Sequence, residues 1–137
     1  PNHFHFFVKQ KNLNSIDKFM NSLCTRYTMY FNKKYKRVGS LYQGVYKAVL
    51  IENEQQFLHL SRYIHKQAIL LQGVALKRQP SSYDEFVDLR KTEWVHPEEI
   101  LSYFSKSNPS LSYENFVKQE DDYEQIKNLT LEEIDDN

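Results

Sequence analysis

The sequence predicts an α+β fold, an antiparallel sheet with flanking helices. Three observations point there. Two short segments, His3–Lys9 and Val45–Ile51, read as strands. Two longer segments repeat apolar residues at helical spacing, from about Ile16 to Lys34 and from Asn53 to about Leu71. At 137 residues and 40% hydrophobic composition, the chain has the size of one domain and enough apolar material for a core.

In the first strand, alternation puts Phe4, Phe6 and Val8 on one side and His3, His5 and Phe7 on the other. Asn14 or Ser15 can cap the first helix, whose apolar face is Ile16, Phe19, Met20, Leu23, Tyr27, Tyr30 and Phe31. Val38–Gly44 is a loop with two of the three glycines. Asn53 caps the second helix, and Glu52 and Glu54 stand near its start, where the helix dipole favours acids. Its expected buried stripe is Phe57, Leu60, Ile64, Ala68 and Leu71. Lys77–Ser82 is a polar loop containing Pro80. Short helices are expected over Pro97–Phe104 and Ser112–Gln119, and Thr130–Glu133 resembles a capping box. Trp94 is expected to pack the C-terminal helices on the core. The chain thus divides into a core, residues 1–80, and a small acidic helical extension, residues 81–137.

Charge follows the same division. Residues 1–80 carry 13 Lys and Arg against three acids, a net +10, and residues 81–137 carry five against 15, a net −10. A basic half predicts a polyanionic partner. The apolar stretch Ala68–Leu76 is too short to cross a bilayer, so no membrane is expected. The opening Pro-Asn-His lacks the basic start of a secretory leader. A single cysteine, Cys24, fits a reducing cytoplasm. No P-loop and no GxGxxG occurs, which argues against nucleotide binding by those loops.

Two constellations carry chemistry. His3 and His5 share a strand face about 7 Å apart, at ~3.3 Å per residue. Two neutral imidazoles there can share a divalent cation, although two half-exposed surface histidines would look the same. Tyr63 and Gln67 lie one turn apart on one helix face. A tyrosine beside a metal ligand can act as a nucleophile on phosphate, and a merely packed tyrosine is the plain alternative. His59 and His65 lie near Tyr63 and could assist proton transfer. Lys33, Lys34, Lys36 and Arg37 can reach phosphates from a helix end, with Lys47 and Arg62 as further basic contacts. Tyr35, Tyr42 and Tyr46 could stack on bases.

PNHFHFFVK resembles the His-hydrophobic-His motif of the HUH endonucleases. Its spacing onward through VGSLYQGVYKAVLI to LHLSRYIHKQA is similar to that of the single-tyrosine transposases of this superfamily, and most of all to the REP-associated group. The resemblance covers residues 1 to about 90. It implies a ferredoxin-like or RRM-like core, with a strand upstream of His3 that this sequence lacks. The chain is therefore expected to be N-terminally truncated, or to receive that strand from a second chain. It implies that His3 and His5 bind the metal, that Tyr63 attacks single-stranded DNA, and that Gln67 completes the metal site. The family commonly has Asn-Pro where this chain has Gln67-Ala68. It also implies that the loop with Tyr42 and Gln43 approaches the DNA.

The function implied is DNA transposition: metal-dependent nicking and strand transfer of hairpin-bearing single-stranded DNA through a 5′-phosphotyrosine. The cofactor would be Mg²⁺ or Mn²⁺. The setting would be the cytoplasm, at a bacterial or archaeal nucleoid, and a homodimer is a further expectation. Two other readings stand beside it. One is a hairpin-binding protein without catalysis. The other is a metal-dependent hydrolase on His3 and His5, disfavoured by the lack of HExxH or nearby carboxylates.

Overall fold

The computed structural model describes residues 3–70, 80–120 and 126. In order, its elements are α1 (Ser15–Tyr35), α2 (Glu54–Leu70), α3 (Tyr83–Phe86), α4 (Glu98–Leu101), a 3₁₀ turn (Pro109–Leu111) and α5 (Tyr113–Lys118). They fall into two compact units, Pro1–Ala48 and Val49–Asn137.

The predicted sheet is corrected: among the described residues there is no strand. A strand needs a neighbour to pair its N–H and C=O groups, and neither His3–Lys9 nor Val45–Ile51 has a ladder partner among the described residues. Val45 and Leu50 are accordingly exposed. The alternation of the first segment survives in its side chains. Phe4 and Phe6 stand ring against ring at 4.9 Å, and Phe6 meets Phe19 of α1 at 5.8 Å. His3 and His5 pair separately from these.

In the first unit, α1 begins after Asn14, whose φ of 62° is left-handed and whose side chain makes no cap bond. Ser15 N–H instead donates to the Asn12 carbonyl at 3.1 Å. The helix ends at Lys36, also left-handed, and Arg37 N–H donates back to the Asn32 carbonyl at 3.0 Å. The Asn32 amide then donates to the Gly39 carbonyl at 2.9 Å, which folds the following loop against the helix end. Gly39 has φ 95° with open space around it, so the backbone angle, and not crowding, favours glycine there. Tyr46 donates to the Asp17 carboxylate, tying Tyr46 to the first turn of α1. Met20 is buried, while Tyr27, Tyr30 and Tyr35 are exposed.

In the second unit, Asn53 caps α2 as expected: its Oδ1 accepts from Gln56 N–H at 2.9 Å. Gln56 reaches back to accept from Glu52 N–H at 2.9 Å. The buried face of α2 differs from the predicted stripe. Ser61, Arg62, His65 and Ala68 are the buried residues, whereas Phe57, Leu60 and Ile64 are only half-buried. The reason is the partner surface. The helix α5 packs on α2 and brings Tyr113 and Phe116, which take hydrogen bonds and a flat cation better than they take aliphatic side chains. Ser112 caps α5 by accepting from Asn115 N–H at 3.2 Å. The predicted Pro97–Phe104 helix is one turn, Glu98–Leu101, with buried Ile100. Trp94 is 76% exposed, which corrects its predicted role in packing. Leu71, the first half of the Lys77–Ser82 loop, the Thr130–Glu133 signal and the acids from Asp121 onward lie outside the described residues.

Glu85 anchors the loop after α3. Arg90 grips its buried carboxylate with two bonds, of 2.7 and 2.8 Å, and Thr92 donates to it at 2.5 Å. The Arg90 and Thr92 donors hold this carboxyl at about 2, below its ordinary 4.5. A depressed carboxyl stabilises the fold fully above its unfolded value. That stability is lost as pH falls from about 4.5 towards 2. Glu85→Gln should lower the melting temperature at pH 7 by about 5 °C. It should also flatten the acid side of the stability curve between those two values. Thermal melts followed by circular dichroism across pH check both.

Candidate functional site

The helix α2 brings two site residues together. Gln67 donates an amide N–H to the Tyr63 phenolic oxygen at 2.7 Å. Both are half-buried and one turn apart, as their spacing requires. This bond uses the amide nitrogen of Gln67, so its carbonyl oxygen is the atom suited to a hard cation.

His65 is two residues along, on the opposite side of the helix. It is 3% exposed and both ring nitrogens are engaged. Nδ1 lies 2.7 Å from the Tyr113 hydroxyl and Nε2 2.9 Å from Ser82 Oγ. Tyr113 donates onward to Ser61 Oγ at 3.2 Å, and Ser61 donates to the Leu58 carbonyl at 2.8 Å. The directions are therefore fixed. Because the Tyr113 proton points to Ser61, His65 Nδ1–H donates to Tyr113 and Nε2 accepts from Ser82. Every member is satisfied with a neutral imidazole. Burial lowers the His65 pKa from 6.5 to about 4, which keeps it neutral at pH 7. Burial also raises the Tyr113 phenol. These bonds commit His65 to the interior.

His59 sits against Phe116, with ring centres 5.9 Å apart, and its Nδ1 accepts from the Arg62 guanidinium at 2.9 Å. Arg62, expected on DNA, is instead 3% exposed and lies flat over Phe116 at 4.6 Å. A guanidinium plane stacks on an aromatic ring with little loss of hydration, which suits Arg for this buried role. Lys66 Nζ donates to the Gln119 carbonyl at 2.9 Å.

His3 and His5 belong to the first unit, and Tyr63 and Gln67 to the second. The two imidazoles stand edge to face with centres 5.1 Å apart. A neutral imidazole nitrogen is a suitable donor to a divalent cation. Among the described residues no group of three or more His, Cys, Asp or Glu could hold a metal.

Lys33, Lys34, Lys36 and Arg37 are all exposed at the end of α1. Lys34 Nζ lies 5.6 Å from the Tyr30 ring centre and 5.5 Å from that of Tyr35, and Arg37 lies 5.7 Å from Phe31. Tyr42 is half-buried beside Phe4 and Tyr27, while Gln43 and Lys47 are exposed. Desolvation raises the Tyr42 phenol.

Residues 1–67 match the family described as IS200-like transposases. The likeness supports a single-tyrosine transposase family and a transposase-related function for this segment, and it ends at Gln67. The REP-associated subgroup is not distinguished by it. No curated protein and no solved structure matches the chain. No helix among the described residues is long and apolar enough to cross a membrane.

Tyr113 escaped sequence reading, and Arg62 was read as a DNA contact and not as a buried residue. A signal for Tyr113 existed: Ser61, His65 and Ala68 recur at helical spacing and form a small, polar face able to admit another helix closely. Arg62→Ala should cost on the order of 2 kcal/mol of folding stability, through the lost ring contact and hydrogen bond. Lys33→Ala should leave stability unchanged. Urea denaturation of the two variants compares them.

Proposed function

We propose that the chain nicks and rejoins single-stranded DNA at hairpins, through a covalent 5′-phosphotyrosine on Tyr63. The match of residues 1–67 to IS200-like transposases carries this reading. The 2.7 Å bond between Gln67 and Tyr63 supports it by joining the two residues the chemistry pairs. The candidate ligands for a divalent cation, Mg²⁺ or Mn²⁺, are His3, His5 and Gln67. When bound, such a cation polarises the scissile phosphate and offsets charge on its oxygens.

The chain's own residues account for the rest. The Tyr63 oxygen attacks phosphorus as its proton passes to solvent. The new Tyr63 O–P bond replaces the bond from phosphorus to the 3′-oxygen, which takes a proton from solvent and leaves as a hydroxyl. Attack by a 3′-hydroxyl reverses the step, so rejoining needs no nucleotide triphosphate. The Gln67 N–H holds the attacking oxygen in place and stabilises negative charge on it. Lys33, Lys34, Lys36 and Arg37 hold the strand by its phosphates, and this contact weakens steeply with salt. Tyr35 and Tyr42 offer rings to unpaired bases. A proton-transfer role falls to neither nearby histidine: His65 is committed within the core, and His59 already accepts from Arg62 at Nδ1.

Incubation with a labelled hairpin oligonucleotide and Mn²⁺ should give an adduct that survives a denaturing gel. Tyr63→Phe should abolish it, and His3→Ala or EDTA should reduce it at least about a hundredfold, the usual scale for a lost electrostatic stabiliser. Tight binding with no adduct would favour the non-catalytic hairpin-binding reading.

A further inference from the structure

The hydrogen-bond chain through His65 recruits residues beyond the transposase-like segment, since Ser82 and Tyr113 both follow Gln67. We propose that residues 81–118 form a clamp that fixes the rotation of α2 about its own axis and thereby positions Tyr63, with His65 and Tyr113 as positioning residues. The consequence at Tyr63 rests on the transposase reading; the clamp itself does not.

The argument is one of helical angle. Successive residues of an α-helix advance by about 100°, so a two-residue step turns by about 200°. Tyr63 is two residues from Ser61 and two from His65. When Ser61 and His65 face Tyr113, Tyr63 is directed to the other side of α2, and Gln67 follows one turn on. The exposures agree: Ser61 and His65 are each 3% exposed, while Tyr63 and Gln67 are half-buried.

Apolarity alone would choose a different rotation. Phe57, Leu60 and Ile64 form the most apolar row of α2, and this row lies about 100° from the Ser61–His65 row. The chain from Ser82 through His65 and Tyr113 to Ser61 overrides it. Once buried, these groups are stable only with every donor and acceptor met, and this rotation meets them. Two further contacts grip α2 along one side of the Ser61–His65 row. Arg62 stacks on Phe116, and Lys66 reaches the Gln119 carbonyl. All these partners come from the acidic region that the charge division had set apart.

Tyr113→Phe tests the clamp in the full chain. It keeps the ring among Phe86, Phe104 and Phe116 and removes only the hydroxyl. Ser82→Ala is a milder companion that removes only the bond to Nε2. Two readouts are taken. Amide hydrogen exchange over residues 58–68 should accelerate about tenfold in Tyr113→Phe and less in Ser82→Ala, with helix content unchanged. Adduct formation on a hairpin oligonucleotide at saturation should slow about tenfold, while the dissociation constant for that oligonucleotide stays within about twofold. A merely structural role would not separate rate from affinity in this way. Unchanged exchange in both variants overturns the clamp. Faster exchange with an unchanged adduct rate overturns its positioning of Tyr63. If the wild-type chain forms no adduct, the transposase reading fails, and exchange alone decides the clamp.

Discussion

The bond between His65 and Tyr113 is the constraint on which the second unit depends. A buried imidazole is destabilising unless both nitrogens find partners, and an unmet donor or acceptor costs about 1–3 kcal/mol. Here a donor and an acceptor are met by residues from two other parts of the chain, Tyr113 and Ser82. The Tyr113 hydroxyl is met in turn by Ser61. Few rotations of α2 can satisfy all four groups. The polar chain therefore specifies orientation, and the surrounding rings of Phe86, Phe104 and Phe116 supply the apolar burial. Tyr63 and Gln67 fall on the opposite side of the helix as a consequence of spacing alone.

The first unit is organised differently. Its one buried hydrophobic residue is Met20, among those described. Order there comes from ring contacts along α1 and from backbone turns at the two ends of that helix. The result displays charge: Lys33, Lys34, Lys36 and Arg37 crowd one helix terminus, where the carbonyl end of the dipole attracts cations. The same residues suit a phosphate backbone. The histidine pair precedes this helix, held with its two rings in contact.

What could be read from the sequence depended on how local its cause was. Asn53 was legible as a cap because a cap bond reaches only three residues. The limits of α1 and the Tyr63–Gln67 contact were legible from helical spacing for the same reason. The pairing of His3 with His5 survived the loss of the predicted strand, because period two brings alternate side chains together locally. The sheet was not legible, since pairing is non-local and alternation names no partner. The buried face of α2 was misread because apolarity was counted and hydrogen bonding was not. Ser61, His65 and Arg62 looked like surface residues until Tyr113, Ser82 and Phe116 were placed beside them. The acidic half looked like an appendage by charge. Its residues Tyr113 and Phe116 are instead the floor on which α2 rests.

The central claim is that Tyr63, out of ten tyrosines, reacts with DNA. Its most direct test is to map the attachment site. After incubation with a hairpin oligonucleotide and Mn²⁺, the DNA is trimmed with nuclease and the protein digested with trypsin. Cleavage after Arg62 and Lys66 releases Tyr63–Lys66, a peptide with a single tyrosine. The account predicts that the residual nucleotide mass is carried by this peptide, with fragmentation placing it on Tyr63. Nucleotide mass on any other residue would contradict it.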